Sequence, residues 1–433
     1  MFDLIIFAGK NQVDHLQRAI LGVPLVERVV RRLTREGAER IVLVGDMGGA
    51  HLRNLSAVSA VSGEMSMSRG LPDFGLIPPK SGVVLFWDGD VIADHDLSAS
   101  LVSEAGKTGE CVYATRAGDE DIETRTLAMA IPAEKLAKLD TSSNISTVAD
   151  LAQHLREAGA NLTAISTQPG GFAVRADSPE TIRFMETALL NELRKPMEVD
   201  GFLGALVYRT FSLPMSRLIA PFPISPNHVT AVALILGLAG AGAMASGTPF
   251  GFLLGAILLQ IGAVVDCVDG EIARLKYLGS LDGAWFDTVA DDIVNNSFIL
   301  GSGIGLARFH HEAWPLIVAV LAVMVILPGL SYLYRGLLEQ GSGDLCDFNW
   351  TSDQDDKEPK TGALANLGEA VKYLVKRDVY VTLFLASVVI GIPEFIPVAG
   401  FIGALGFSVA VAREVRYRRA HGTPPKPGNV QEA

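Results

Sequence analysis

Two hydrophobic patterns divide the chain near residue 195. Before that point, short apolar runs alternate with amphipathic segments. Leu4–Ala8, Arg40–Gly45 and Val83–Trp87 have the pattern of buried strands, and Pro24–Arg35 repeats its apolar residues with a helical period. Strands that alternate with helices favour a mostly parallel α/β sheet, so we predict an N-terminal α/β domain over residues 1–195. Further strands are predicted at Glu110–Ala114 and Leu127–Ile131, and further helices at Ala133–Leu139, Val148–Ala158 and Pro179–Leu193.

Beyond residue 228 the apolar runs lengthen towards the ~20 residues that a membrane-spanning helix needs. We predict a multidomain protein in which an all-α, six-helix transmembrane domain occupies residues 228–413. Residues 196–227 mix apolar with basic positions and end in three prolines, which predicts an interfacial junction helix. Residues 414–433 form a basic stretch followed by a tail with the composition of disorder. The predicted spans are Val229–Ala245, Phe250–Val268, Ala284–Leu306, Trp314–Leu333, Val379–Phe395 and Val398–Val411.

Composition supports a membrane protein and argues against a nucleic-acid-binding, disulfide-rich or zinc-cluster protein. Of the 433 residues 49% are hydrophobic, and the mean hydropathy is +0.32. A net charge of −12 argues against a nucleic-acid partner, which requires a basic surface. The three cysteines lie far apart, a spacing that gives neither a disulfide framework nor a zinc cluster. The first residues carry no basic region before their apolar run, so we expect a buried strand there rather than a signal peptide.

Basic residues between the predicted spans set the orientation. Cytoplasmic loops of membrane proteins carry an excess of Lys and Arg. With six spans, the basic loops and both termini fall on one side, which predicts a multi-pass inner-membrane protein with a cytoplasmic N-terminal domain and C-terminus. The residues concerned are Arg274, Lys276, Arg335, Lys372, Lys376, Arg377, Arg413, Arg416, Arg418 and Arg419.

Four carboxylates in the stretch Asp266–Asp291 are the strongest chemical signal. Asp266 and Asp269 are three residues apart, and Asp287 and Asp291 are four apart, so each pair shares one face of a helix. A charged side chain at mid-bilayer costs roughly 2.5–3.5 kcal/mol even on the mild insertion scale. Converging acids therefore need a partner, and divalent metal is the natural one for oxygen ligands.

The same stretch fits the pattern D-x2-D-G-x2-A-R-x8-G-x3-D-x3-D at every fixed position. This pattern resembles the signature of the CDP-alcohol phosphotransferases. The resemblance implies transfer of a phospho-alcohol group from a CDP-alcohol donor to an acceptor alcohol, with release of CMP, in phospholipid or polyol-phosphodiester synthesis. It implies Asp266, Asp269 and Asp287 as ligands of two Mg²⁺ or Mn²⁺ ions. Asp291 is implied as the catalytic base and as a further metal ligand.

Substrate-binding residues also follow from the resemblance. The implied nucleotide-binding residues are Gly270, Ala273, Arg274, Gly283, Asn227 and Thr230, the last two in SPNHVT. Arg209, Arg217 and Arg335 are candidates for an acceptor phosphate, with interfacial anchoring as the alternative. The family also implies a possible homodimer. The segment YRTFSLPMSRLI resembles the junction helix of members that carry a fused cytidylyltransferase domain and make inositol phosphodiesters.

The N-terminal domain resembles the sugar nucleotidyltransferases in two segments, GVPLVERVVRRLTREGAERIVLVGD and VVLFWDGDVI. It departs from them in the phosphate-holding loop, which keeps only Gly9 of the family's glycines and has Ile20 or Leu21 near the place of a lysine. We therefore expect a degenerate, non-catalytic domain that serves binding or scaffolding. The alternative is a bifunctional enzyme whose N-terminal domain makes the CDP-alcohol from CTP. Asp88 and Asp90 are either metal ligands or part of a strand-end turn.

Other polar groups are assigned no site role. Glu271, Asp282 and Asp292 lie outside the pattern, and Asp292 is expected to point about 100° away from Asp291 on a helix. His310 and His311 are expected at the surface. A transporter would scatter its acids over several spans, so their clustering argues against that class. The polar loop 336–377 predicts only a short helix near Leu364–Val375.

Overall fold

The computed structural model describes residues 1–8, 18–45, 64–68, 71–72, 79, 81–115, 126–136, 145–166, 172–194, 204–350 and 376–421. The chain divides into two compact units between Leu189 and Leu190. Gly9, Lys10, the helix predicted near Leu364–Val375 and the tail from residue 422 lie outside the described residues.

A seven-stranded mixed sheet forms the centre of the N-terminal unit. The strands are β1 (Phe2–Ala8), β4 (Ala38–Gly45), β5 (Glu64–Ser68), β6 (Val83–Asp88), β8 (Cys111–Thr115), β9 (Thr126–Pro132) and β10 (Leu162–Ser166). Their order in the sheet is β10-β8-β9-β6-β1-β4-β5, and only β9 runs antiparallel to its neighbours β6 and β8. This confirms the predicted, mostly parallel α/β sheet.

Helices cover both faces of this sheet, which explains why its central strand is buried throughout. β1 alternates its side chains between two hydrophobic clusters, with Leu4 and Ile6 in one and Ile5 and Phe7 in the other. The first cluster includes helices α1 (Leu25–Arg35) and α2 (His95–Thr108), and the second includes α4 (Val148–Glu157). Two further two-stranded antiparallel sheets are the hairpin of β2 (Ala19–Ile20) with β3 (Val23–Pro24) and the pair of β7 (Val91–Ala93) with β11 (Ala173–Arg175). The remaining helices are α3 (Ala133–Leu136) and α5 (Pro179–Glu192).

The second unit is helical. It begins with a π-helical turn, Gly204–Tyr208, that runs directly into α6 (Arg209–Ile219). Six longer helices follow within the described residues, and a short 3₁₀ turn at Leu345–Asp347 lies after the fourth. They are α7 (Pro226–Met244), α8 (Pro249–Lys276), α9 (Leu281–His310), α10 (Trp314–Gln340), α11 (Arg377–Ile390) and α12 (Phe395–His421).

Four of these helices, α7, α8, α10 and α12, are long and apolar enough to cross a membrane, counted over the described residues. The predicted helical domain is thus present, while six spans are not established. The helix ends differ from the ends of the predicted spans. Helix α8 continues eight residues past Val268 to Lys276. The fifth span does not reach Phe395, because α11 ends at Ile390 and Gly391 follows in the left-handed conformation with φ +87°.

Small residues let α7 and α8 approach with their backbones in contact. A Cβ atom added to Gly240 would lie 2.9 Å from the carbonyl oxygen of Gly255, and one added to Gly255 would lie 2.7 Å from that of Gly240. Gly240 therefore allows the close packing of α7 on α8. This contact brings the first helix of the set against α8, which carries Asp266 and Asp269.

Candidate metal centre

Two helices present the four acids of the signature stretch. Asp266 and Asp269 lie in the last three turns of α8, and Asp287 and Asp291 lie in the first three turns of α9. The turn between these helices is fixed by polar groups. The Ser280 hydroxyl accepts a hydrogen bond of 3.1 Å from the Gly283 amide and so caps α9. The short connection places the end of one helix beside the start of the next.

Three of the acids converge. One carboxylate oxygen each from Asp266, Asp269 and Asp287 lies within 4.8 Å of the other two. Asp269 is buried, and the Oδ1 atom of Asp287 is buried with no hydrogen-bond partner among the described residues. A buried carboxylate oxygen without a donor is unfavourable, and a cation satisfies it. The residues present therefore fit a divalent metal, and their all-oxygen donor set suits Mg²⁺ or Mn²⁺.

Asp291 shares an arginine with Asp266. The Nη1 atom of Arg377, the first residue of α11, donates to Asp266 Oδ2 at 2.5 Å and to Asp291 Oδ2 at 2.6 Å. One guanidinium therefore joins a candidate metal ligand to the candidate base. The sequence placed Arg377 only among loop charges that set orientation. Its contact with Asp291 spans 86 positions, and no local spacing signals a pair so distant in the chain.

The predicted nucleotide-binding residues surround the acids. The Thr230 hydroxyl donates to Asp269 Oδ2 at 2.5 Å, so in this structure it orients a carboxylate. A Cβ atom on Gly283 would lie 3.2 Å from Asn227 Oδ1, and one on Gly270 would lie 3.3 Å from Arg274 Nη1. The two signature glycines thus leave room for the polar groups of Asn227 and Arg274. Ala273 lies on the same helix, one residue before Arg274.

A narrow cleft with mostly apolar walls opens beside Asp266, Asp291 and Arg377. It lies between α7, α8, α9 and α11. Because its walls are small and apolar, the cleft admits little water around the acids, and charge interactions there are stronger than in bulk solvent. Its other lining residues are Thr230, Ala233, Leu234, Gly237, Leu259, Gly262, Ala263, Ala290 and Val294.

Acids outside the signature pattern lie apart from the cluster, as predicted. Asp292 accepts a hydrogen bond from the Tyr334 hydroxyl. Glu271 is fully buried and accepts hydrogen bonds of 2.5 Å from Arg209, Ser212 and Ser216. Asp282 is exposed in the first turn of α9.

The three arginines proposed for an acceptor phosphate are not brought together. Arg209 is only 5% exposed because it pairs with Glu271, which differs from the expected position near headgroups. Arg335 is exposed and lies 3.7 Å from Glu339 on its own helix. Arg217 is exposed on α6. His310 pairs with Glu394 at 2.7 Å at the end of α9.

The N-terminal unit holds a second acidic site, at the end of β6. Asp88 accepts hydrogen bonds from the Val148 amide at 2.9 Å and from Arg175 at 2.5 Å. The same guanidinium lies 3.2 Å from Asp90 Oδ1. Burial raises the pKa of Asp88 to about 6, and Arg175 opposes that rise. These contacts favour the strand-end turn over the metal site as the interpretation of Asp88 and Asp90.

Comparisons with known proteins concern both units. Residues 223–343 match the family model described as CDP-alcohol phosphatidyltransferase. A stretch of 173 residues, 39% of the chain, is 30% identical to the bifunctional IPC transferase and DIPP synthase of Aquifex aeolicus and covers 37% of that protein. A stretch of 133 residues, 30% of the chain, is 28% identical to the phosphatidylinositol phosphate synthase of Mycobacterium bovis and covers 59% of it. The chain thus matches less than two thirds of either relative.

A solved structure is similar to the N-terminal unit. It is 4-diphosphocytidyl-2C-methyl-D-erythritol synthase of Anaerococcus prevotii, and the match covers 44% of this chain and 96% of that one at 13% identity and a TM-score of 0.35.

Proposed function

We propose that this chain, whose residues 223–343 form a CDP-alcohol phosphatidyltransferase domain, is an integral membrane phosphotransferase. It moves a phospho-alcohol group from a CDP-alcohol to an acceptor alcohol and releases CMP. The observation that carries the proposal is the convergence of Asp266, Asp269 and Asp287 on one point, with a buried oxygen of Asp287 that has no hydrogen-bond partner among the described residues. A pyrophosphate donor needs such a site because its negative charge must be neutralised before a nucleophile approaches.

Divalent metal is the proposed cofactor. Asp266, Asp269 and Asp287 would hold it, and two ions, Mg²⁺ or Mn²⁺, are proposed. When bound, the metal neutralises phosphate charge and stabilises the attacking and leaving oxygens. Thr230 keeps Asp269 in place through its hydroxyl, and the family's pattern adds Asp291 as a shared ligand. Gly270 and Gly283 leave space for the nucleotide, and Arg274 pairs with its phosphate.

Asp291 is the proposed catalytic base. The acceptor hydroxyl must lose its proton as it attacks, and a carboxylate at the edge of the metal cluster is placed to accept it. Arg377 binds Asp291 and Asp266 through a single nitrogen, so it sets the distance between the base and a metal ligand. The apolar cleft beside them excludes water, which competes with the acceptor as a nucleophile.

The helical unit is proposed to span the inner membrane six times, through α7 to α12. Four of these helices meet the length and hydropathy expected of a span, and the other two, α9 and α11, carry Asp291 and Arg377. Basic residues at the ends of α8 and α12 support a cytoplasmic location of the N-terminal unit and the C-terminus. The small residues on the helix surfaces are compatible with a homodimer.

The alcohols are proposed from the relatives. One is named for IPC transfer and DIPP synthesis and another for phosphatidylinositol phosphate synthesis. An inositol-type alcohol is therefore the first to test, with CDP-diacylglycerol and a CDP-linked polyol as the two donor classes.

The N-terminal unit is proposed to be a binding or scaffolding module rather than a cytidylyltransferase. The contacts of Arg175 with Asp88 and Asp90 support this, because an internal cation occupies the carboxylates that a metal would need. Incubation of the full-length chain with CTP, Mg²⁺ and a panel of polyol phosphates tests it. Pyrophosphate release that persists in Asp291→Asn would establish the bifunctional alternative.

The transferase proposal is tested with purified full-length protein in lipid nanodiscs. CMP release is measured with CDP-diacylglycerol and with CDP-inositol, each in the presence of inositol, inositol phosphate or glycerol phosphate. Asp266→Ala should abolish CMP release. Asp292→Asn is the matched control, since Asp292 is a neighbouring carboxylate bound to Tyr334, and it should retain activity. Normal turnover in Asp266→Ala would contradict the proposal.

A further inference from the structure

A buried carboxylate next to Arg377 has no part in the proposed reaction. Asp378 lies in the first turn of α11 and is 6% exposed. Its Oδ2 atom accepts a hydrogen bond of 2.7 Å from the backbone N–H of Gly204, 174 positions earlier. A buried carboxylate is costly unless it is bound by donors, so this contact ties two distant parts of the helical unit together.

Gly204 begins the segment that leads into the first predicted span. We define Gly204–Ile219, the π-helical turn and α6, as the junction segment. Tyr208, in the same turn as Gly204, is buried, and its hydroxyl lies 3.4 Å from the carbonyl oxygen of Asp378. The start of the junction segment therefore packs on the first turn of α11.

The other end of the junction segment is attached to α8. Glu271, one position after the signature residue Gly270, is fully buried and receives the side chains of Arg209, Ser212 and Ser216. Three donors on one face of α6 thus satisfy one carboxylate. The opposite face of α6 is apolar and exposed, with Phe211 at 60% and Leu218 at 71%.

The two attachment points share a property. Each carboxylate is the immediate chain neighbour of a residue of the site: Glu271 follows Gly270, and Asp378 follows Arg377. Resting on the proposed function above, we propose that Asp378 is a positioning residue. Held by the junction segment, it fixes the first turn of α11 so that Arg377 reaches both Asp266 and Asp291. Glu271 anchors the same segment to the helix that carries Asp266.

The position of Arg377 at a helix end explains why it needs a restraint from outside the helix. Arg377 is at the very start of α11, where a helix end has fewer backbone hydrogen bonds to restrain it. The backbone N–H of Gly204 provides an external restraint on that turn through Asp378. Without it, the turn frays and Arg377 leaves the two carboxylates more often.

The test measures how accessible Arg377 is, without metal or substrate. Full-length protein in nanodiscs is treated with phenylglyoxal, which modifies arginine side chains, and the rate at Arg377 is followed by mass spectrometry. Asp378→Ala should raise that rate about tenfold, the factor that corresponds to losing one hydrogen bond to a charged group. Asp378→Asn keeps an acceptor for the Gly204 amide and should leave the rate as in the unchanged protein.

Two controls separate positioning from general destabilisation. Ser387→Ala removes a buried hydroxyl from the same helix that bonds only to Phe384, and it should leave the rate at Arg377 unchanged. The exposed Arg335 serves as an internal standard in every sample. If Asp378→Ala does not fold, Gly204→Pro removes the same hydrogen bond from the donor side. An unchanged rate in the folded variant, or equal rates in Asp378→Ala and Asp378→Asn, would overturn the positioning role.

A second measurement connects Asp378 to turnover. Asp378→Ala should lower CMP release about tenfold, and it should cause no further loss in an Arg377→Met background, because it acts through Arg377. An equal further loss in that background would overturn the inference. A complete lack of CMP release from every donor would count against the proposed function alone, because the phenylglyoxal rates are independent of it.

Discussion

Each of the two units holds carboxylates bridged by one arginine, and the units differ in how many further acids lie beside the bridged pair. At the end of β6, Arg175 contacts Asp88 and Asp90. Between α8, α9 and α11, Arg377 contacts Asp266 and Asp291, while Asp269 and Asp287 lie beside them without a cation among the described residues. One internal cation leaves two ionised acids with one net negative charge, but it leaves four acids with three. The first site is complete as a structural element, and the second is proposed to take a cation from solution.

The surroundings of the acids sharpen this difference. Asp88 also accepts a hydrogen bond from the Val148 amide, so both of its oxygens are used within the fold. Asp287 keeps a buried oxygen that has no donor among the described residues. Native proteins rarely leave such an atom unsatisfied except where a ligand or ion binds. The ion pairs distinguish the two sites: Arg175 contacts both acids of the first, whereas Asp269 and Asp287 form no ion pair among the described residues.

The largest expected effect is on turnover at the helical site. Asp291→Asn keeps the shape of the side chain and removes the base, so CMP release should fall by about 10² to 10⁴, the range for loss of general base catalysis. The rate is measured in nanodiscs at saturating donor. Asp292→Asn, with the same chemical change one residue further on, should remain within a few-fold of the unchanged protein. Equal losses of CMP release in Asp291→Asn and Asp292→Asn would contradict the assignment of Asp291 as the base.

The next largest effect is the pH dependence of stability that Asp88 gives to the N-terminal unit. Because the folded pKa of Asp88 is about 6 and its ordinary value is 3.8, the folded state binds this proton more tightly than the unfolded state does. Ionisation of Asp88 therefore lowers the free energy of unfolding of the N-terminal unit by roughly 3 kcal/mol as the pH rises from about 4 to about 6. Asp88→Asn should remove this pH-dependent part.

The free energy of unfolding of the N-terminal unit is measured by urea titration, followed by amide hydrogen exchange in the Val83–Asp88 peptide. The unsubstituted full-length chain and the Asp88→Asn variant are compared at pH 4 and at pH 6.5, so that the contributions of the other carboxylates cancel. Parallel changes with pH in both proteins would show that Asp88 is not the titrating group.

The smallest effect concerns the residue that orients Asp269. Thr230→Val keeps the volume of the side chain and removes the hydroxyl that donates to Asp269. Partners of this kind typically change metal affinity 10- to 100-fold, so Mn²⁺ binding should weaken by about that factor. Electron paramagnetic resonance of free Mn²⁺ gives the affinity. Thr288→Val is the matched control, because its buried hydroxyl donates to the Gly343 carbonyl and not to an acid.

Local patterns predicted the parts of the molecule that depend on neighbours in sequence. The spacing of Asp266, Asp269 and Asp287 was sufficient to predict their convergence, because two helices joined by a short turn must bring these faces together. The short apolar run of β1 and the apolar period of α1 likewise predicted a buried sheet with a covering helix. The sequence also placed Asp292 away from Asp291, from the 100° step of a helix alone.

Long-range contacts were not predictable in the same way. Arg377 and Asp378 gave no signal, since their partners lie 86 to 174 positions away. Helix α2 was missed because its apolar period is weak, and its cap by Asp94 is visible only once Leu97 donates to that side chain. The fifth span was placed too far along because Ile392 and Phe395 continue the apolar run across a turn that Gly391 makes possible.

The most direct test of the contrast between the two sites is the number of Mn²⁺ ions bound by the full-length chain. Paramagnetic resonance of Mn²⁺ is recorded for the unchanged protein, for Asp88→Asn with Asp90→Asn, and for Asp269→Asn with Asp287→Asn. We predict that the first pair of substitutions leaves the tightly bound Mn²⁺ in place and that the second pair removes it. Loss of Mn²⁺ with the Asp88 and Asp90 substitutions, and its retention with the Asp269 and Asp287 substitutions, would contradict the account.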